Sequence, residues 1–98
     1  MSTRDTVVYQ YGTTVRFEAD FFDFDGLAVD PELITLKIYN AKYTVIHEQP
    51  GVKVQASVGK YYYDYETEPK EQRLFYEWYA EIGGKPSLKR GEFMTKFI

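Results

Sequence analysis

The sequence contains no cysteine, and it has one histidine and one tryptophan among 98 residues. Without cysteine the chain can form no disulfide scaffold, no cysteine-ligated zinc or iron–sulfur site and no thiol nucleophile. The same absence leaves the redox compartment open. A chain of this length buries enough surface to fold without a metal or a disulfide, so we expect one domain over residues 1–98.

The sequence also lacks a large excess of either charge and lacks long apolar runs. The 15 acidic and 12 basic side chains give a net charge of −3, and the basic residues are scattered. Sequence-independent binding of nucleic acid needs clustered Lys and Arg, so no nucleic-acid partner is expected. No apolar run approaches the roughly 20 residues of a membrane-spanning helix, and residues 1–5 lack the apolar stretch of a signal peptide. No membrane partner is expected either.

Aromatic residues are abundant instead, with 10 Tyr, 7 Phe and 1 Trp. Between positions 14 and 21 the apolar Val15, Phe17, Ala19 and Phe21 alternate with polar residues. A period of two predicts a strand with one face buried. Comparable runs that predict further strands lie at 6–9, 33–39, 43–47, 52–55, 61–65, 75–82 and 91–98.

Turn signals separate these runs. Asn40-Ala41-Lys42 predicts a tight turn between 33–39 and 43–47, and Gly83-Gly84 predicts a second hairpin turn. Seven or eight short strands with turns at about 8–12-residue spacing are typical of a β-sandwich or a small barrel. No alternation of strands with helices is present, which excludes a parallel doubly wound sheet. We expect an all-β fold, a single antiparallel β-sandwich of about seven to eight strands.

The carboxylates Asp23, Asp25 and Glu32 are the residues with metal-like spacing. They would occupy the third, fifth and twelfth positions of a calcium loop that started at Phe21. Phe21 cannot supply the first ligand, however, and Pro31 blocks the helix that leaves such a loop. We therefore expect a polar turn in which Gly26 has a positive φ, with calcium as the alternative. No metal and no cofactor are predicted.

The residues that acid–base or nucleophilic catalysis would need are nearly absent. His47 has no second histidine and no serine in a nucleophile-elbow sequence to work with, so we expect an exposed histidine at a strand end. The acidic residues are expected on solvated sheet faces. We predict no catalytic residue, no enzyme activity and no small-molecule substrate. The acidic residues concerned are Glu18, Asp20, Asp64, Glu66, Glu77 and Glu81.

The run from Tyr61 to Tyr65 divides by parity. Tyr61, Tyr63 and Tyr65 share one face and, with Trp78, are expected in the core. The remaining aromatics cannot all join them without breaking the alternation. Exposed tyrosines are enriched in protein interfaces and in sugar-binding platforms. The predicted interaction surface therefore comprises Phe22, Phe24, Tyr62, Tyr79 and Phe97.

Six segments together resemble the immunoglobulin-like β-sandwich modules of bacteriophage virion proteins and bacterial surface proteins. The resemblance spans nearly the whole chain and rests on strand and turn patterns. It departs from immunoglobulin domains proper in having no cysteine pair around Trp78. The segments are Gly12–Phe17, Phe22–Gly26, Ile34–Tyr39, Gly59–Tyr63, Tyr76–Gly84 and Gly91–Phe93.

The resemblance implies a structural protein of a virion: a head–tail connector component, a tail or baseplate accessory, or a capsid decoration. It would lie in the virion, or in the host cytoplasm during assembly, and its partners would be itself or other virion proteins. Assembly would use sheet edges, either near Thr6–Tyr9 or at Phe93–Ile98, because unpaired backbone groups are templates for another strand. The alternative is a carbohydrate-binding or cell-surface adhesion module, which the surplus of aromatics would serve.

Overall fold

The computed structural model describes residues 7–55 and 57–98, which contain eight strands. In this part of the chain no helix is long and apolar enough to cross a membrane. The predicted start of the first strand at Thr6 and the N-terminal residues 1–5 lie outside the described residues. The strands are β1 (Val7–Gln10), β2 (Thr14–Asp20), β3 (Leu33–Tyr39), β4 (Val45–Pro50), β5 (Val52–Lys53), β6 (Lys60–Glu66), β7 (Gln72–Ile82) and β8 (Lys85–Lys96).

The strands form two sheets that pack as a sandwich. The larger sheet has the order β1-β8-β7-β3-β4, and the smaller has the order β2-β6-β5. The predicted all-β, sandwich-like fold is therefore confirmed. The prediction that every pair is antiparallel is wrong at β1 and β8, which are parallel. These two strands lie at opposite ends of the chain, so no hairpin turn forces them into opposite directions.

Alternation along the strands places the core as predicted. Val15, Phe17 and Ala19 are buried on the inner face of the smaller sheet, and each is followed by an exposed residue. On the larger sheet Leu36 is fully buried and Trp78 is 1% exposed. Further core residues at the expected parities are Phe21, Ile34, Ile38, Tyr65, Leu74, Ala80, Ile82 and Phe93. Tyr61 and Tyr63 are half-buried and pack against this cluster.

The chain crosses from the larger to the smaller sheet at Gly51, between β4 and β5. A Cβ atom at this position would lie 2.8 Å from Cζ3 of Trp78 and 2.9 Å from Cγ2 of Ile34. Only glycine therefore lets the backbone pass over the indole. Nε1 of Trp78 is buried and has no hydrogen-bond acceptor among the described residues.

Both predicted hairpins are present, with shifted strand bounds. Gly83 and Gly84 turn β7 into β8 with positive φ values of 59° and 76°. β8 begins at Lys85 rather than at Gly91, because pairing with β7 continues up to that turn. β4 begins at Val45 rather than at Tyr43, because Tyr43 has a left-handed φ of 63° and cannot continue a strand.

Asp30 ties the loop before β3 to the far edge of the smaller sheet. Its Oδ1 accepts hydrogen bonds from the Gly59 backbone N–H (2.8 Å), Nζ of Lys53 (3.1 Å) and the Tyr61 hydroxyl (3.2 Å). These bonds, the Gly59 one first, lower the pKa of Asp30. The β5 side of the smaller sheet is thus fixed by a charged side chain.

Candidate functional site

The unequal sizes of the two sheets leave a groove beside β2. Val7 lies in register with Phe93 on the inner face of the larger sheet, yet Val7 is 52% exposed while Phe93 is 1% exposed. The difference arises because the smaller sheet ends at β2 and does not extend over β1. We call this space, of about 210 Å³, the β2 groove. It is lined by Val7, Tyr9, Arg16, Phe17, Glu18, Tyr76, Glu92 and Phe93.

The backbone of β2 presents an unpaired edge to this groove. Phe21 N–H donates to the Gly59 carbonyl at one end of the β2–β6 ladder, and Thr67 N–H donates to the Thr13 carbonyl at the other. Because such pairs alternate along an antiparallel ladder, the backbone groups of the even-numbered residues of β2 point away from β6. Consistently, the Asp20 carbonyl accepts from Nζ of Lys89 on β8. No strand among residues 7–55 and 57–98 pairs with this edge.

Charged side chains stand along the same edge. Arg16 donates to both carboxylate oxygens of Asp64 at 2.7 and 2.9 Å, and its guanidinium lies 4.2 Å from the centre of the Tyr62 ring. These hydrogen bonds hold the pKa of Asp64 below its usual range. Glu18 is exposed on the same face as Arg16. The edge therefore carries one positive and one negative group two residues apart.

A second concavity lies on the outer face of the larger sheet, where β3, β7 and β8 are adjacent. We call it the aromatic pocket. Tyr39 on β3 is in register with Phe75 on β7, and Glu77 on β7 is in register with Arg90 on β8. The pocket has a volume of about 270 Å³ and is lined by Tyr39, Tyr43, Phe75, Tyr76, Glu77, Arg90 and Gly91.

Glu77 lies at the base of this pocket and is only 4% exposed. It accepts from the Tyr39 hydroxyl at 3.2 Å and from Nε of Arg90 at 2.6 Å. The prediction that Glu77 lies on a solvated face is wrong, because Tyr39 on β3 and Arg90 on β8 lie against its carboxylate from both neighbouring strands. Burial, together with the negative charge of Glu77, raises the pKa of Tyr39. The pocket therefore contains an ion pair that is buried on the carboxylate side and exposed on the guanidinium side.

Tyr43 covers one side of the aromatic pocket from the β3–β4 turn. Asn40 builds this turn, since its Oδ1 accepts from the backbone N–H groups of Lys42 and Thr44 at 2.9 and 3.0 Å. The Tyr43 ring stacks on Phe75 with centroids 4.9 Å apart and planes 22° apart, while Tyr43 stays 71% exposed. A left-handed conformation at a tyrosine costs about 1–2 kcal/mol, so the stacked ring is held at an energetic cost.

The five aromatics predicted as an interaction surface do not form one surface. Phe22 and Phe24 are 54% and 80% exposed, and Phe24 lies under Nζ of Lys85 at the start of β8. Phe97, 72% exposed, packs on Tyr11 beyond the other end of β8. β8 has 12 residues and so spans about 40 Å. Tyr62 and Tyr79 are half-buried on different sheets.

The acidic loop before β3 adopts the predicted turn. Gly26 has a φ of 83°, and Oδ1 of Asp23 accepts from the backbone N–H groups of Asp25 and Leu27. Glu32 instead accepts from the Gly84 N–H in the β7–β8 turn. Within the described ranges no three acidic or histidine side chains gather as a group that could hold a metal ion.

His47 is not the exposed strand-end residue that the sequence predicts. It lies within β4, where it pairs with the buried Ile38, and its ring packs between Tyr63 and Tyr65. Nε2 of His47 and the Tyr63 hydroxyl form a hydrogen bond of 2.9 Å. The prediction is wrong because the strand continues past His47 to Pro50 and the register with Ile38 places the His47 side chain on the inner face.

The sequence does contain a signal for the aromatic pocket, in the parity of residues along two strands. Tyr39 shares the parity of Thr35 and Lys37, and Phe75 shares that of Glu77. Aromatic residues among the polar positions of two adjacent strands predict an aromatic patch on the outer face. The left-handed Tyr43 has no comparable signal, because the preference for that conformation lies with Gly, Asn and Asp.

Comparison with protein-family models, with curated proteins and with solved structures finds no match to this chain.

Proposed function

We propose that this chain is a non-enzymatic structural protein of a bacteriophage virion, which takes up an extended strand of a neighbouring subunit along the free edge of β2. The observation that supports this function is the β2 groove, where an unpaired strand edge adjoins uncovered inner-face residues such as Val7. The partner is a second copy or another virion protein. No bond is made or broken in this role.

The strand order supports the finer assignment to an immunoglobulin-like sandwich. In constant-type domains of that fold the first, second, fifth and fourth strands form one sheet and the third, sixth and seventh the other. When β4 is counted as an added strand, β2-β6-β5 and β8-β7-β3 follow this order, whereas β1 joins β8 in the larger sheet instead of joining β2. Trp78 lies on β7, whereas antibody domains carry their tryptophan on the third strand. The assignment therefore rests on topology.

An added strand would pair with the free backbone groups of β2 and would also cover the exposed apolar side chains of the groove. Its backbone would pair with the even-numbered residues of β2, as in other cases of strand addition. Its inward side chains would cover Val7 and Tyr9, and its outward ones would lie opposite Arg16 and Glu18. An acidic residue opposite Arg16 and a basic one opposite Glu18 would make favourable cross-strand pairs. The expected partner strand is therefore apolar on one face and carries both charges on the other.

Proline at position 18 tests this mode of assembly. Glu18→Pro removes one N–H that points into the groove and leaves the β2–β6 bonds in place, and proline is tolerated at such edge positions. We expect the variant to fold and to lose association, measured by sedimentation of the full chain alone and with the proteins encoded beside it. Glu18→Gln keeps the N–H and is the control. A wild-type chain that stays monomeric at high concentration and binds none of those proteins contradicts the proposal.

The gene neighbourhood is an independent test of the virion assignment. Portal, tail or capsid genes beside this one support it, whereas a neighbourhood of polysaccharide-degrading or surface-adhesion genes favours the second candidate.

The second candidate is the carbohydrate-binding or adhesion module, and the aromatic pocket is the observation that favours it. The pocket combines stacked aromatic rings with an oriented ion pair. Apolar surfaces with a few placed polar groups are typical of small-ligand sites. This function needs no strand addition, so the loss of association in Glu18→Pro leaves it unaffected.

A further inference from the structure

We propose that the aromatic pocket binds a single neutral pyranose residue of a saccharide. The inference rests on the second candidate function and gives it a site and a ligand class. The pocket opens on the outer face of the larger sheet and the β2 groove on its inner face, and Tyr76 contributes to the lining of both. Binding there would therefore leave the proposed strand addition possible.

The volume of the pocket limits the size of the ligand. Sites for drug-sized molecules usually measure about 300–1,000 Å³, and this one measures about 270 Å³. That space holds one sugar ring or one large side chain. A longer saccharide would place one residue in the pocket and extend over the open sheet face.

The aromatic wall matches the apolar face of a pyranose ring. Stacking on Phe75 holds one side of the Tyr43 ring and fixes its plane, while Tyr43 remains 71% exposed. The C–H groups on one face of a pyranose pack on such a ring without needing a charge. The left-handed backbone of Tyr43 is a local strain, and strained residues concentrate at functional sites.

The charges in the pocket favour a neutral ligand over an ion. The exposed guanidinium of Arg90 repels a cation, and its ion pair with Glu77 at 2.6 Å offsets the positive charge that an anion would need. The Arg90 side chain is 69% exposed, and its bond to Glu77 sets its orientation. A planar guanidinium held in this way presents several N–H donors in a fixed plane. Adjacent hydroxyl groups of a sugar are acceptors suited to such donors.

Tyr43→Asn is the informative variant. Asparagine tolerates the left-handed conformation, so the backbone strain is relieved while the ring contact with Phe75 is lost. The melting temperature should therefore change little. Phe24→Ala removes a comparably exposed aromatic at a distant loop and is the matched control.

The experiment is saturation-transfer difference NMR of the full chain with the methyl glycosides of glucose, galactose, mannose and N-acetylglucosamine. We expect millimolar binding of at least one glycoside, a tenfold or greater loss of affinity in Tyr43→Asn, and unchanged affinity in Phe24→Ala. Binding that survives Tyr43→Asn overturns the proposed site. The absence of a transfer signal from all four glycosides also overturns the proposed site. An array of longer glycans then tests the second candidate function: hits that are insensitive to Tyr43→Asn leave that function standing, and no hits together with no glycoside signal contradict both.

Discussion

The two halves of the inner face of the larger sheet differ sharply in burial. Leu36 and Trp78, on β3 and β7, are 0% and 1% exposed, whereas Val7 on β1 is 52% exposed. All three side chains project from the same face of one sheet. What differs is the layer opposite, because the three strands of the smaller sheet cover β3 and β7 and end before β1. An apolar residue on the inner face is thus buried only where a strand of the opposite sheet lies over it.

Truncation of an apolar side chain should show the largest difference between these halves. Leu36→Ala leaves a cavity in a fully packed region and should cost about 2–5 kcal/mol. Val7→Ala removes a half-exposed side chain and should cost less than about 1 kcal/mol. Urea denaturation monitored by Trp78 fluorescence measures both. Equal costs would show that the β1 half is covered in solution, which contradicts the open groove.

Adding a methyl group is a second, smaller test of the same difference. Gly51→Ala places Cβ against Trp78 and Ile34, which are tightly packed, and should cost about 1–3 kcal/mol. Gly91→Ala on β8 meets the hydroxyl end of the Tyr76 ring, at 2.5–2.6 Å, which is closer than the contacts at Gly51. Tyr76 is half-buried and packs on Phe17 and Phe93. The atoms that the new methyl group meets are at the outer end of its ring, beside the β2 groove, and can give way more easily than the buried indole. We expect thermal denaturation to rank Gly51→Ala well below Gly91→Ala, and the reverse order would contradict the account.

The two edges of the smaller sheet also differ: Asp30 anchors the β5 edge, whereas no described strand pairs with the β2 edge. The pH dependence of stability tests the anchoring by Asp30. The folded chain lowers the pKa of Asp30, which anchors the β5 side. The resulting stability is complete above the ordinary carboxyl pKa of about 3.9 and is lost as the pH falls through the lower, folded value. Asp30→Asn should be less stable than wild type at neutral pH, and the difference should shrink in acid.

Chemical denaturation at a series of pH values measures this effect. Asp25→Asn in the neighbouring exposed turn is the control and should show no such pH-dependent difference. A wild-type advantage over Asp30→Asn that persists unchanged in strong acid would show that the hydrogen bonds of Asp30 do not depend on its charge.

Much of the covered half was predictable from the sequence. Alternation at Val15, Phe17 and Ala19 is strict, because a strand with one solvated face imposes a period of two. The hairpin turns were also predictable, since Gly83 and Gly84 adopt the positive φ that glycine allows. These features depend on neighbours in sequence. Pairing of β1 with β8 depends on strands at opposite ends of the chain, and no local pattern encodes its parallel direction.

The candidate sites were predicted less well, for a related reason. Phe22, Phe24 and Phe97 are exposed as expected. Exposure does not predict proximity, however, and Phe97 lies at the other end of β8 from Phe24. The aromatic pocket joins residues from three strands and a turn. To predict this pocket one must know the register that places Tyr39 beside Phe75 and Glu77 beside Arg90. One must also know the left-handed backbone conformation of Tyr43, which conformational preferences make unexpected for a tyrosine.

Residue-resolved amide hydrogen exchange of the free, full-length chain tests the open edge of β2 most directly. We expect fast exchange at Arg16 and Glu18, whose N–H groups point into the groove, and strong protection at Val15, Phe17 and Ala19, which bond to β6. Adding a binding partner should slow Arg16 and Glu18 specifically. Full protection of Arg16 and Glu18 in the isolated monomer would mean that the edge is already occupied, and it would contradict the proposed mode of assembly.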